Sequence, residues 1–431
     1  MSKTSQKPKT KKSNKALFQS VKGMHDILPQ DQPYWDKIRK TTKDLADYYN
    51  FHRIDTPLLE RAELFEKTSG ESSEVVEKQM YVFKDKDGNR LALRPEGTAP
   101  VARAYVQHGL SHLAHPLKLY YIEQMFRYEQ PQSGRTRQHH QIGFEILGDN
   151  SDPIYDAQII LVAYRLVEEL KIPKLSVQLN SIGCKNCRPV YKKKLLEYYK
   201  NQESCKDCKR RLTINPLRVL DCKNEVCQPI KQGAPTIIDS LCTYCNAHFK
   251  SVLEYLEELG LSYSLNNSLV RGLDYYTRTV FEVVSEGVSG SLAGGGRYDY
   301  LVETLGGRAT AAVGFGMGIE RLVVTMQTHN IAVSVKTKTK VFFIQIGALA
   351  KKKSLHLIEG LRKLNIEVLE SLGKESLKPQ LRQADKETAK LALIFGQKEA
   401  FEDSIIIRDL QTGAQETVPL MKMVEEVKRR I

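Results

Sequence analysis

The stretches Leu117-Lys-Leu-Tyr-Tyr-Ile-Glu-Gln-Met-Phe-Arg127 and Ile142-Gly-Phe-Glu-Ile-Leu147 decide the fold class of this chain. Both are rich in aromatic and β-branched residues, which favour strands. Between them lies Gln130-Pro-Gln-Ser-Gly-Arg-Thr-Arg137, a polar segment whose proline and glycine favour a loop. The three segments together predict two antiparallel strands joined by a long basic loop.

The second of these strands presents a polar face. Alternate residues of a strand share a face, so Gln141, Gly143 and Glu145 point together. His139 lies just before them, and Arg127 ends the partner strand. An amide, a carboxylate and a guanidinium, with a glycine that leaves space, predict a polar ligand pocket. An exposed sheet face with ion pairs is the alternative.

Two further segments suit phosphate. Arg135 and Arg137 flank the turn of the basic loop, and arginine binds phosphate in a bidentate manner. The run Gly314-Phe-Gly-Met-Gly-Ile-Glu-Arg321-Leu322 lacks the lysine of a P-loop and the spacing of a dinucleotide-binding turn. We expect a helix to begin at Gly314 and to carry Arg321 beside a glycine-rich turn. That arrangement fits a nucleotide phosphate or, alternatively, a tightly packed helix start.

The segment Leu93-Arg-Pro-Glu-Gly-Thr98 is predicted to end a strand in a turn. Glu96 and Thr98 carry oxygen atoms that could accept from an ammonium group. A helix cap, with Thr98 opening the next helix, is the alternative.

Composition limits the class of protein. The chain has 431 residues, is 41% hydrophobic and has no apolar run long enough for a membrane helix. Its net charge of +14 favours a polyanionic partner such as nucleic acid. Six of those positive charges are lysines near the N-terminus, which form a solvated arm in the alternative interpretation. We expect a cytoplasmic protein, since the N-terminus lacks the apolar core of a secretory signal.

The eight cysteines all lie between Cys184 and Cys245. This confinement predicts a module inserted into a larger domain. The expected organisation is a disordered basic arm (1–18), a large domain (19–182 and 251–330), the cysteine-rich insertion (183–250), a linker (331–340) and a C-terminal α/β domain (341–431). Paired cysteines in a cytosolic protein indicate one or two structural zinc sites. Disulfides and metal-free thiols are the alternatives. The residues concerned are Cys184, Cys187, Cys205, Cys208, Cys222, Cys227, Cys242 and Cys245.

Taken together, these segments resemble class II aminoacyl-tRNA synthetases of the α+β class. The three class motifs correspond to Thr56-Pro57, to Phe126-Arg-Tyr-Glu129 through Glu145, and to Gly314–Arg321. The resemblance narrows to the bacterial type of the histidyl-tRNA synthetase family. The segments that narrow it are Leu269-Val-Arg-Gly-Leu-Asp-Tyr-Tyr-Thr-Arg-Thr-Val-Phe-Glu282, Ala293-Gly-Gly-Gly-Arg-Tyr-Asp299, Asn180-Ser-Ile-Gly183, Asn215-Pro-Leu-Arg-Val-Leu-Asp221 and Arg94–Thr98.

The resemblance implies a fold and a reaction. The fold is an antiparallel catalytic sheet with the insertion and a C-terminal anticodon-binding domain. The reaction joins L-histidine to ATP, releases pyrophosphate, and transfers histidine to the 3′ end of tRNA(His). It also implies a homodimer, Mg²⁺ bound with ATP, and an insertion that closes on the tRNA acceptor arm.

The resemblance also implies residue roles. The catalytic residues would be Arg127, Arg271 and Arg321, with Arg127 bridging the histidine carboxylate and the α-phosphate. Histidine would be bound by Glu96, Gly97, Thr98, Arg127, Gln141, Glu145, Arg271, Tyr275 and Tyr276. ATP would be bound by Arg127, Glu129, Arg135, His139 and Arg321. His139 stands where relatives commonly have an aromatic residue that stacks on adenine, and Gln130 stands where many bacterial relatives have arginine.

Two other functions compete with this interpretation. A paralogue of the family serves as a non-charging regulatory subunit of ATP phosphoribosyltransferase, and it should lack the Arg271 segment and the C-terminal domain. An RNA-binding zinc protein without catalysis would leave the histidine pocket unexplained.

Overall fold

The computed structural model describes residues 18–70, 73–131, 134–148, 150–333 and 341–431. Most of the predicted basic arm and linker, residues 1–17 and 334–340, lies outside the described residues. The chain divides between Val333 and Ser334 into two compact units, which are described separately below.

The first unit contains both strands and helices. Its strands are β1 (His52–Arg53), β2 (Leu59–Arg61), β3 (Tyr81–Lys84), β4 (Arg90–Leu93), β5 (Leu117–Phe126), β6 (Gln138–Gly148), β7 (Leu175–Ser181), β8 (Tyr263–Leu265), β9 (Thr277–Ser285), β10 (Ala293–Arg297) and β11 (Ala311–Gly318). Its helices are α1 (Gln32–Tyr48), α2 (Ala62–Ser69), α3 (Thr98–Gln107), α4 (Pro153–Glu169), α5 (Cys187–Tyr199), α6 (Lys206–Ile214), α7 (Cys227–Gln232), α8 (Thr243–Glu258), α9 (Leu301–Thr304) and α10 (Ile319–Thr328).

A mostly antiparallel sheet organises this unit. Its strand order is β1-β5-β6-β11-β10-β9-β7-β8, and only the outer pairs β1/β5 and β7/β8 are parallel. The predicted hairpin is its centre: β5 and β6 pair antiparallel, with Glu123 opposite Gln141 and Leu119 opposite Glu145. A separate antiparallel sheet has the order β2-β4-β3.

The two faces of the large sheet differ because side chains alternate along each strand. On β6, Ile142, Phe144 and Ile146 are buried in an apolar core that also contains side chains of α1, α4, α8 and α10. Phe144 stacks on Phe315 of β11 at 5.2 Å between ring centroids. The polar residues of β6 therefore face the other way, as the alternation predicts.

The cysteine-rich region is continuous with the catalytic fold. It lies between β7 and α8 and contains α5, α6, a 3₁₀ turn at Pro216–Asp221 and α7. Its apolar side chains Tyr191, Leu195 and Val219 join the cluster that contains Tyr275. Helix α8 begins beside the cysteines and ends in the main core, so the proposed boundary at 250 falls inside one helix.

The second unit is a small α/β domain, as predicted. Its strands are β12 (Val341–Gln345), β13 (Val368–Glu370), β14 (Leu391–Phe395), β15 (Ser404–Asp409) and β16 (Gln415–Pro419). Its helices are α11 (Ala348–Lys363), α12 (Leu377–Lys386), α13 (Gln397–Phe401) and α14 (Met423–Arg430). The sheet order is β13-β12-β14-β15-β16, with β12 parallel to both of its neighbours.

Candidate active site

A cavity of about 780 Å³ opens on the polar face of the large sheet. Nearly all of the predicted ligand-binding residues line it together. They are Glu96, Thr98, Arg127, Glu129, Arg135, His139, Gln141, Arg271, Tyr275, Tyr276 and Arg321. Gly97 and Glu145, which were also predicted, do not line it and are treated separately below. Residues from six separate segments thus meet in one place, which favours a ligand pocket over an exposed face of ion pairs.

Glu145 lies behind the wall of the cavity and is fully buried. Its Oε1 accepts a hydrogen bond from Thr98 Oγ1 at 2.7 Å, and its Oε2 accepts one from the Tyr298 hydroxyl. Burial raises the pKa of Glu145 from 4.5 to about 8. This carboxyl is therefore largely neutral near pH 7, and Thr98 joins it to the cavity.

The aromatic ring of Tyr121 fills the space beside Gly143. A Cβ on Gly143 would come within 2.0 Å of the ring of Tyr121, and one on Gly97 within 2.3 Å of the same ring. Tyr121 stands opposite Gly143 across the β5/β6 pair. The expectation that Gly143 leaves room for a ligand was therefore wrong, because Tyr121 fills that room and is itself buried.

The expectation of a helix beginning at Gly314 was also wrong. Residues Ala311–Gly318 form strand β11, and α10 begins only at Ile319. Gly314 faces Glu145 across the strands, and a Cβ there would lie 1.7 Å from Glu145 Oε2. A Cβ on Gly316 would lie 2.0 Å from Gln141 Nε2. These glycines make room for pocket side chains of β6 rather than for phosphate.

Both proposed interpretations of Glu96 describe part of its environment. Its carboxylate accepts from the backbone N–H groups of Thr98 and Ala99, at 2.7 and 3.0 Å, and so caps α3. The same side chain lines the cavity, where the Tyr275 hydroxyl lies 3.4 Å from its Oε2. The cap fixes the carboxylate in position, and one side of it remains available to a ligand.

The three predicted catalytic arginines face the same cavity from different elements. Arg127 follows β5 and donates from Nε to the Pro95 carbonyl at 2.8 Å. Arg321 belongs to the first turn of α10 and donates from Nη1 to the Ser291 carbonyl at 2.6 Å. Arg271 pairs with Glu282 of β9, a partner that sequence reasoning missed. Each guanidinium has further N–H donors for an anion.

Gly294 explains how Arg271 is accommodated. A Cβ at this position would lie 2.4 Å from Arg271 Nη1. Gly294 belongs to β10 and stands opposite Glu282 on β9, so the arginine lies over the glycine and meets the acid beside it. Gly294, in the glycine run that follows Ala293, thus makes room for Arg271, which belongs to another segment.

His139 is a neutral ring in this site. Burial, helped by the nearby side chains of Arg127, His140 and Arg321, lowers its pKa from 6.5 to about 3. Glu129 and Arg135, the other predicted ATP-binding residues, lie beside one another with their charged atoms 4.0 Å apart. A planar neutral ring among arginines suits a nucleotide base next to its phosphates.

The eight cysteines form two groups of four, and all are free thiols. One group is Cys184, Cys187, Cys242 and Cys245, and the other is Cys205, Cys208, Cys222 and Cys227. Within each group the sulfur atoms lie within 4.8 Å of one another. Tetrahedral zinc, with Zn–S bonds of about 2.3 Å, places its sulfurs about 3.8 Å apart. The separations Cys184–Cys187 at 3.6 Å and Cys205–Cys222 at 3.9 Å fit that geometry.

The second cysteine group also borders the cavity. Cys205, Cys222 and their neighbours Arg211, Lys223 and Asn224 line its mouth. This contact has no signature in the sequence, because the change of composition predicts a separate module at 183–250.

The chain is similar to known proteins along nearly its whole length. A family model described as histidyl-tRNA synthetase matches residues 23–186 and 224–322, and an anticodon-binding-domain model matches 335–430. The break between 186 and 224 falls within the cysteine-rich region.

Individual relatives agree with the family models. A histidine–tRNA ligase of Dehalococcoides mccartyi is 44% identical over 96% of this chain and 100% of its own length. One from Aquifex aeolicus is 44% identical over 94% and 100%. The crystal structure of apo histidyl-tRNA synthetase from S. aureus, 32% identical, superposes with a TM-score of 0.79 over 96% of this chain and 100% of its own. The chain therefore belongs to the histidyl-tRNA synthetase family, class II ligases that charge tRNA with histidine.

Proposed function

We propose that the cavity activates L-histidine with ATP, and that Arg127, Arg271 and Arg321 stabilise the charge that moves during the reaction. The histidine carboxylate attacks the α-phosphate, the bond to the β-phosphate breaks, and pyrophosphate leaves. A terminal ribose hydroxyl of tRNA then attacks the carbonyl of the adenylate, and AMP leaves. The observation that carries this proposal is the convergence of three arginines with a buried carboxyl, an amide and two tyrosines in one cavity.

The three arginines have different roles at the phosphates of ATP. Arg127 bridges the histidine carboxylate and the α-phosphate, Arg271 acts on the α-phosphate in the transition state, and Arg321 holds the γ-phosphate. Phosphoryl chemistry of this kind depends on fixed positive groups rather than on a covalent nucleophile. The bonds from Arg127 to Pro95 and from Arg321 to Ser291 support fixed positions for two of them.

Histidine is recognised at both ends. Glu96 and Gln141 accept from the α-ammonium group, and Gln141 Oε1 is buried with no hydrogen-bond partner among the described residues. Tyr276 pairs with one imidazole nitrogen, and Glu145 acts on the other through the Thr98 hydroxyl that donates to it, while Tyr275 lines the pocket. A buried site that pairs both nitrogens rejects apolar analogues strongly.

ATP lies against His139, Glu129 and Arg135 in this proposal. His139 stacks on the adenine, and its neutral state avoids a second positive charge beside Arg127. Mg²⁺ bound together with ATP would neutralise part of the phosphate charge. Glu129 and Glu282 are carboxylates of the cavity with the oxygen ligands that Mg²⁺ prefers.

tRNA(His) reaches two parts of the chain. The anticodon is read by the C-terminal unit, and the acceptor end approaches the mouth of the cavity. Arg211 and Lys223 at that mouth supply positive charge for its phosphates. Since Gln130 replaces a common arginine, we propose that these insertion residues carry more of the contact here.

Each cysteine group holds a structural zinc ion in this proposal. Thiolates at tetrahedral spacing are its natural ligands, and metal folds small modules with few apolar residues. Clustered free thiols also fit the reducing cytoplasm, where we place the chain. Among the described residues, no helix is long and apolar enough to cross a membrane.

The active form is a homodimer in this proposal. The small sheet next to Thr56-Pro57 exposes Leu59 on β2 and Phe83 on β3, which lie on one face of the sheet and are 42% and 44% accessible. Its outer strands β2 and β3 pair only with β4 among the described strands. An apolar face with unpaired edges fits a second copy of the chain. Light scattering that gives the mass of a single chain would reject the dimer.

The proposed reaction is tested by ATP–pyrophosphate exchange with each amino acid in turn. Exchange that depends on histidine alone supports it. Exchange with another amino acid, or with none, contradicts it.

A further inference from the structure

The segment Arg271–Tyr276 needs support from outside itself. It contains no helix or strand, yet it carries Arg271, Tyr275 and Tyr276 into the cavity. A segment without its own ladder of hydrogen bonds keeps a precise shape only through contacts with its neighbours. Its neighbours here include two arginines of the cysteine-rich region.

Arg218 holds the middle of the segment. Its Nη2 donates to Asp274 Oδ1 at 2.9 Å and to the Gly272 carbonyl at 3.2 Å. Asn215 Nδ2 donates to the same Asp274 oxygen at 3.1 Å. On the other side, Asp274 Oδ2 lies against Gly70, where a Cβ would be only 2.2 Å away. Asp274 is therefore fixed between the insertion and the end of α2.

Arg188 holds the end of the segment. Its Nη2 donates to the backbone carbonyl of Tyr276, and its Nε donates to the Ile182 carbonyl at 3.3 Å. The ring of Tyr276 lies in the pocket, so the bond from Arg188 to the Tyr276 carbonyl holds the backbone that carries this ring.

Each arginine belongs to a different cysteine group. Arg188 directly follows Cys187 of the first group. Arg218 lies in the 3₁₀ turn between Cys208 and Cys222 of the second group. Whatever orders the two groups of thiols also orders these two arginines.

We propose that Arg188 and Arg218 are positioning residues that hold the Arg271–Tyr276 segment in its histidine-binding shape, with Asp274 as the anchor for Arg218. The proposal rests on the proposed function, because it assigns these residues to the histidine pocket. It makes the cysteine-rich region a support for histidine binding as well as a surface for tRNA. A rigid support of this kind acts on a substrate through the residues it holds.

The test compares Asp274→Asn, Arg218→Ala and the double variant in histidine-dependent pyrophosphate exchange. We expect each single variant to raise the histidine KM about tenfold, because Asp274→Asn removes the negative charge and Arg218→Ala the donor of this charge-assisted hydrogen bond. The ATP KM should stay within about twofold, and the double variant should be no worse than the poorer single variant. Arg218→Lys should recover part of the loss. The effect on the histidine Kd, measured by calorimetry, should match that on KM.

Arg210→Ala is the matched control. Arg210 is on α6 of the same region and pairs with Glu77 of the catalytic part instead of with the 271–276 segment. It should leave the histidine KM unchanged. Unchanged histidine KM and Kd in Asp274→Asn and Arg218→Ala would overturn the proposal, as would additive effects in the double variant. If the wild-type chain failed to exchange with histidine, the proposed function itself would be wrong, which is a separate outcome.

Discussion

Glu145 links the chemistry of the pocket to its stability. Its pKa of about 8 in the folded chain lies above the ordinary 4.5, so the folded state retains a proton that the unfolded state loses. This contribution to stability is fully present below about pH 4.5 and is lost as pH rises towards about 8. A neutral amide of the same shape would not carry that pH dependence.

Glu145→Gln should therefore lose less stability than wild type between pH 5 and pH 8. Melting temperatures measured across this range check the slope, with the exposed Glu258→Gln as control. Parallel curves for wild type and Glu145→Gln would contradict the assigned protonation.

His139 is the residue that we propose to stack on the adenine of ATP. His139→Phe keeps a stacking ring, whereas His139→Ala removes it. Since stacking of a base on a ring contributes about 1–3 kcal/mol, we expect the alanine variant to raise the ATP KM roughly tenfold or more. The phenylalanine variant should stay near wild type in steady-state exchange. Equal ATP KM values in His139→Phe and His139→Ala would contradict a stacking role for His139.

The site residues were predictable from the sequence to different degrees. Strand alternation was enough to group Gln141 and Glu145, and the family resemblance added Arg271 and Tyr276. Tyr298 and Glu282 were within the quoted motifs but had no assigned partner, because cross-strand register is not visible in one sequence. In the pairing of β6 with β11, Gly314 stands opposite Glu145. The glycine run therefore makes room for side chains of β6 rather than for phosphate.

Strand β11 offers a direct test of whether its glycines make room for side chains of β6. Gly314→Ala would place a Cβ 1.7 Å from the Glu145 carboxylate, whereas Gly318→Ala meets no atom within 4 Å. Overpacking of a buried site typically costs about 1–3 kcal/mol. We expect Gly314→Ala to lower the melting temperature and weaken histidine binding, and Gly318→Ala to leave the melting temperature near wild type. A normal Gly314→Ala protein would contradict the packing described for this strand.

The cysteine-rich region gives a prediction about metal. The wild-type chain should bind two zinc ions, and Cys222→Ser should bind one, because only the second group loses a ligand. Arg218 lies between two ligands of that group, so histidine affinity measured by calorimetry should fall in the same variant. Elemental analysis after gentle purification gives the zinc count. Less than one zinc per wild-type chain would reject both sites.

The architecture of both units was largely predictable, while the packing of the cysteine-rich region against the catalytic fold was not. The hairpin and the C-terminal α/β unit follow from local patterns of apolar and turn-forming residues. The cysteine-rich region looked separate because its composition changes abruptly. In the structure its Tyr191 and Leu195 pack in the same cluster as Tyr275, a long-range contact that composition does not encode.

We propose above that this one cavity forms histidyl-adenylate through Arg271. Histidine-dependent ATP–pyrophosphate exchange with wild type and Arg271→Ala tests it most directly. We predict exchange with histidine alone in wild type, and a fall in kcat of about 10²–10³ in the variant, since a group that stabilises transition-state charge is worth that much. An unchanged exchange rate in Arg271→Ala, or wild-type exchange with a different amino acid, would contradict the account.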